Sequence, residues 1–92
     1  MSNKPTVEQR RRWEILRAFG CFICGTPAEI HHCGIVVGCK KDHDKVISLC
    51  AAHHRSGGYG VAIHSGRKEW ERNFAPEQSF LEMADRIMEK NK

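Results

Sequence analysis

All five cysteines of this 92-residue chain fall between Cys21 and Cys50, and all six histidines fall between His31 and His64. Every soft or borderline metal ligand therefore sits in one middle stretch. That stretch is rich in glycine and short of apolar mass, so burial alone does not fold it. It needs a staple, and its ligands suggest a metal. The length sharpens the point, because a single domain of this size buries only about two-thirds of its unfolded surface and its core is marginal. A disulfide framework is not expected. The cysteine count is odd, and the charged start MSNKPTVEQRRRW is followed by no apolar segment of the secretory kind. A reducing compartment would keep the thiols available as ligands. No apolar run approaches the ~20 residues that span a bilayer, so no membrane partner is expected.

The ligands are paired. Cys21-Phe22-Ile23-Cys24 is a CxxC, and Cys50-Ala51-Ala52-His53 is a CxxH that lies 25 residues beyond it. Two chelating pairs separated by a loop commonly assemble a structural zinc, here with three thiolates and one imidazole. Gly25 after the first pair lets the backbone turn under the metal. A redox CxxC would want a βαβ setting, which the sequence lacks. Zinc held by four protein ligands has no open position, so this site is scaffold. Cys33 and Cys39 remain and are read as buried or free thiols.

Helices flank this core. Thr6 with Gln9 three residues later has capping-box spacing, Ile15, Leu16 and Phe19 share one arc, and Gly20 stops the run, which predicts a helix over residues 6–19. Arg12 intrudes on that arc. At the other end Pro76 suits a first turn, and Phe80, Leu81, Met83, Ala84, Ile87 and Met88 form an apolar stripe. Ser65 is placed as the cap of a shorter helix on which Trp70 and Phe74 stand one turn apart. The two C-terminal helices occupy residues 65–90. Between the flanks, β-leaning stretches lie at Glu29–His32, Ile35–Val37 and Lys45–Leu49, and Cys50–Arg55 reads as a helix opening that Gly57-Gly58-Tyr59-Gly60 breaks. The whole is one domain, residues 1–92, with its metal core at 20–64.

Five histidines are left once the staple takes His53. Adjacent His31 and His32 on a strand point to opposite sides, and His54 directly follows a zinc ligand. The string Glu29-Ile30-His31-His32, then Ser48-Leu49-Cys50-Ala51-Ala52-His53-His54-Arg55, resembles the HNH nucleases, whose ββα-metal architecture grips one divalent ion. The continuation Gly57-Gly58-Tyr59-Gly60-Val61-Ala62-Ile63-His64 is similar to the RecA-dependent recombination-enhancement nucleases of temperate phages. The likeness covers residues 20–75. It implies an α+β fold, a small zinc-stapled ββα-metal core with flanking helices. It also implies metal-dependent hydrolysis of DNA, with His32 as general base, His31 and His54 on the ion, and His64 as a further ligand or a phosphate contact. DNA, and by the same likeness a RecA filament, are the implied partners. The implied setting is the cytoplasm of a bacterium or a phage-infected host cell, and a monomer is the default.

The chain departs from the family pattern at two places. His31 stands where most members carry Asp, and Lys45 stands where the middle Asn is expected, with His43 and Asp44 close by. His43 or Asp44 would then orient the base, although His43 on its own reads as a solvated loop residue. An imidazole-rich site favours Zn²⁺, Mn²⁺ or Ni²⁺ over hard Mg²⁺, so the ion is left open among these four. Other readings stay open too: His31 and His32 as a second structural zinc site with Cys33 or Cys39, and His64 as a helix cap. Fifteen basic against eleven acidic residues give +4, which favours a polyanion partner. Beyond the first helix, the positive charge near the site is Lys40, Lys41, Arg55, Arg67 and Lys68, the expected phosphate contacts. No reader of base edges is evident, so little sequence specificity is expected. The alternative function is a non-catalytic zinc-knuckle module that binds nucleic acid. A third is a zinc-stabilised protein-interaction domain.

Overall fold

A computed structural model describes residues 4–34 and 42–91. The expected first helix forms as α1, Val7–Phe19. Its start is fixed locally: the Gln9 amide donates to Thr6 Oγ1 at 3.1 Å, and the Thr6 amide donates to Gln9 Oε1 at 2.8 Å. Gly20 ends it with φ at 96°, a left-handed value that favours glycine. A Cβ at Gly20 would also lie 2.8 Å from the Gly25 carbonyl oxygen. The chain thus turns tightly from α1 into the CxxC loop.

Two short strands follow, β1 at Glu29–His32 and β2 at Val46–Leu49. They pair antiparallel, with Glu29 opposite Leu49 and His32 opposite Val46. The stretch at Ile35–Val37 that was expected as a strand lies outside the described residues, as do Cys39, Lys40 and Lys41. Every residue of β2 is buried, which is why this segment carries the branched apolar side chains of Val46, Ile47 and Leu49, with the small Ser48 among them. The result is a small α+β domain with a two-stranded sheet between helices.

After β2 the chain makes a π-turn, Ala52–Ser56, where a helix opening was expected. The Gly57 amide reaches back five residues to the Ala52 carbonyl at 2.9 Å, the widened ring that defines such a turn. A 3₁₀ turn, Ile63–Ser65, then leads into α2, Arg67–Asn73. Ser65 belongs to that turn and does not cap α2. The cap position is Gly66, and no side chain, His64 included, caps it. The final helix, α3, is Glu77–Lys90, with Pro76 one position earlier than expected, at its cap.

Leu16 of α1, Val46, Ile47 and Leu49 of β2, Trp70 of α2 and Ala84 of α3 are fully buried in one cluster. Trp70 packs on Phe74 and Phe80, with ring centroids 5.6 and 5.3 Å away, so these aromatics are core, as expected. Arg12, which interrupted the apolar arc of α1, reaches α3 and pairs with Asp85 at 3.0 Å.

Candidate metal centres

The CxxC and CxxH come together. Ligand atoms of Cys21, Cys24, Cys50 and His53 all lie within 4.8 Å of one another. The Sγ atoms of Cys24 and Cys50 are 3.7 Å apart, and His53 Nδ1 lies 3.7 Å from Cys21 Sγ and 3.2 Å from Cys50 Sγ. Around tetrahedral zinc, bond lengths of about 2.3 Å to sulfur and 2.0–2.1 Å to nitrogen set S···S edges near 3.8 Å and S···N edges near 3.6 Å. The donor set and its spacing fit zinc. The knuckle is shaped by its own backbone: the Gly25 amide donates to the Cys21 carbonyl at 2.8 Å and the Cys21 amide to the Thr26 carbonyl at 2.9 Å. Thr26, with its Oγ1 3.0 Å from the Cys24 sulfur, brings that thiol down to about 6. Burial pushes the Cys21 thiol up.

His31, His54 and His64 form a second group, again with one ligand atom each within 4.8 Å. Three elements supply them: β1, the π-turn and the 3₁₀ turn. His54 Nδ1 lies 2.7 Å from Glu29 Oε1, and its Nε2 lies 2.9 Å from His64 Nε2. With the carboxylate taking the Nδ1–H, Nε2 carries the lone pair. Two imidazole nitrogens on one such ion stand about 2.9–3.4 Å apart, from cis-octahedral to tetrahedral angles at the zinc bond length. These residues fit a divalent ion. Unlike the cysteine centre, three side chains leave positions open, and the group borders a cavity of about 430 Å³ lined also by His32, Arg67 and Glu77. Burial, with His54 and His31 beside it, lowers the His64 pKa below 6.5.

His32 is not part of that group. As strand alternation requires, it leaves β1 on the other side from His31, and its ring meets Trp13 of α1 edge-on at 5.4 Å. Its Nε2 lies 3.0 Å from His43 Nδ1. His43 is therefore no solvated loop residue: it is half-buried, and its carbonyl accepts from Trp13 Nε1 at 3.0 Å. His32 lies with Trp13 and His43, and no ligand group among the described residues contains both it and His31. The group that does contain His31 and Cys33 is completed by Glu77.

Among the expected phosphate contacts, Arg55 is engaged inside the protein. Its Nε and Nη2 donate to Glu29 Oε1 and Oε2 at 2.7 and 3.2 Å. That pairing, with the His54 hydrogen bond, brings the Glu29 carboxyl down to about 2. Arg67 borders the cavity with Nη1 3.4 Å from Glu77 Oε1, and Lys68 is exposed on α2. Lys40 and Lys41 lie outside the described residues. Cys33 is buried, and burial together with the adjacent Glu77 pushes its thiol far up.

Sequence reasoning missed two acids. Glu29 was within reach of it, since residues two apart on a strand share a face and Glu29 stands two before His31. Glu77 was not, because 46 positions separate it from His31. No helix among the described residues is long and apolar enough to cross a membrane. No family profile, no curated protein and no solved structure matches this chain.

Proposed function

We propose that this domain is a metal-dependent DNA endonuclease of the HNH type, with a zinc-stapled ββα-metal core. One observation carries the reading: beside a complete zinc-type set stands a separate three-histidine set that opens on a cavity. A non-catalytic zinc knuckle has no use for the second set. When bound there, the ion supplies Lewis-acid stabilisation of the charge that develops on a phosphodiester. The protein's own residues do the rest. Glu29 holds His54 in the ligating tautomer. Arg67 and Lys68 hold phosphates without reading sequence. His32, which also borders the cavity, takes the proton of the attacking water, a task suited to an imidazole at neutral pH. The free thiols of the zinc-type set suit a reducing compartment such as the bacterial cytoplasm.

Plasmid nicking in added Mg²⁺, Mn²⁺, Ni²⁺ or Zn²⁺, with and without RecA, tests this. Wild type should nick, and His32→Ala should fall by about 10²–10⁴-fold, the usual worth of a general base, while keeping its metal content. DNA binding without nicking under every condition would replace the enzyme with a zinc-knuckle binding module.

A further inference from the structure

Glu77 opens α3 and is buried, with 7% of its surface exposed. A carboxylate in such a place is tolerated only when donors surround it. His31 Nε2 lies 2.8 Å from Oε2 and Arg67 Nη1 lies 3.4 Å from Oε1, and the Cys33 sulfur lies within 4.8 Å of the carboxylate. With an imidazole nitrogen on one oxygen and a guanidinium on the other, this carboxylate is placed as an acceptor. In the bond between His31 and Glu77, the proton therefore sits on His31 Nε2.

We propose that Glu77 is a positioning residue of the histidine centre: it fixes His31 as the Nε2–H tautomer, so that His31 meets the ion through Nδ1. The inference rests on the reading of His31, His54 and His64 as an ion site. It makes the two acids mirror images. Glu29 takes the Nδ1–H of His54 and turns Nε2 to the ion; Glu77 takes the Nε2–H of His31 and turns Nδ1 to it. Each also makes its imidazole a stronger ligand. Glu77 does not join the ion itself in this arrangement, because it groups with His31 and Cys33 but not with His54 and His64. The consequence for the fold is that α3 contributes to a centre whose ligands all come from β1 and the turns.

The test uses ¹⁵N-labelled full-length protein already loaded with one equivalent of zinc, and Zn²⁺ as the probe for the second site. Long-range ¹H–¹⁵N spectra, with His31 assigned by His31→Gln, should show its Nε2 protonated before the second equivalent is added. They should show it still protonated afterwards, with the metal-induced shift at Nδ1. By titration, Glu77→Gln should weaken the second equivalent by about 10–100-fold and leave the first unchanged, while Cys33→Ser should change neither. A metal shift at His31 Nε2 overturns the inference, and that measurement needs no variant that has to fold. So does wild-type affinity in Glu77→Gln. Equal losses in Cys33→Ser and Glu77→Gln would move the ion to the His31–Cys33–Glu77 group and overturn it as well. None of these readouts contains DNA. A protein that ligates through Nδ1 but cuts nothing overturns only the nuclease reading.

Discussion

Removing zinc from the cysteine centre should unfold most of this domain. At about 0.05–0.15 kcal/mol per residue, 92 residues have a net stability of about 5–14 kcal/mol. Structural zinc in small domains contributes about 10–16 kcal/mol at neutral pH, as much as that whole net stability or more. The positions of the ligands say why little could stand without the ion. Cys21 follows α1 after one residue, Cys50 directly follows β2, and His53 sits in the π-turn. Cys21 and Cys50 thus hold the chain at the ends of α1 and β2, whose apolar residues lie in the one core cluster. Without the metal, three sulfurs and an imidazole are left crowded together, with the Cys24 sulfur tending to ionise. Loss of one ligand in four, taken as a quarter of the zinc contribution, removes about 2.5–4 kcal/mol. At about 4–8 °C per kcal/mol in a domain of this size, Cys24→Ser should melt about 10–30 °C below wild type. Circular-dichroism melts with parallel zinc analysis provide the assay, on wild type, on Cys24→Ser and on chelator-treated protein. A chelated protein that melts within a few degrees of the zinc form would refute the reasoning. So would a stable, zinc-replete Cys24→Ser.

Three further outcomes follow from the packing. Trp70→Ala empties the centre of the aromatic cluster and should cost about 3–5 kcal/mol by denaturant titration, with the zinc stoichiometry unchanged while the protein stays folded. His54→Ala should lose the second metal equivalent and all nicking while keeping one zinc, read by metal analysis after dialysis; two retained equivalents would remove His54 from the ion site. Gly57→Ala should lower thermal stability and weaken both metal sites, since a Cβ there would press on the Ala52 carbonyl oxygen and lie 2.7 Å from Val61 Cγ1; wild-type metal content and melting would show that the π-turn is not tightly held.

What the sequence made legible was whatever is decided within a few residues. Thr6, Gln9 and Gly20 bound α1 through capping bonds and a left-handed turn that involve no distant partner. The CxxC and CxxH are legible for the same reason: each pair is a local chelate, and only their meeting is a tertiary event. Glu29–His32 and the buried run after Lys45 have strand-like composition over their own length. Contacts across the chain were not legible. Ser65 is a better helix cap than Gly66 by composition, yet the chain reaches α2 through a 3₁₀ turn and the first amides of the helix find no side-chain cap. His43 looks solvated among charged neighbours because nothing nearby in sequence announces Trp13, 30 positions away. Nothing near Arg55 in sequence announces that Glu29, 26 positions back, pairs with its guanidinium.

The least legible element is also the one on which the candidate site turns. A regular helix after Cys50 would point consecutive residues about 100° apart around its axis. His53 and His54 are consecutive, and each must reach a different centre: His53 Nδ1 toward the sulfurs and His54 Nε2 toward His64. The π-turn does this while its first bond is still helical, the His54 amide donating to the Cys50 carbonyl at 2.9 Å. The wider ring is closed at Gly57, where a side chain would strike the Ala52 carbonyl. The two centres are thereby joined through a single peptide bond. A zinc ion that fixed His53 would also fix His54, and the carboxylate of Glu29 would then need only to select the tautomer. The two candidate centres are thus parts of one device: a zinc-type set with no open position would set the place of a ligand in a set that has one.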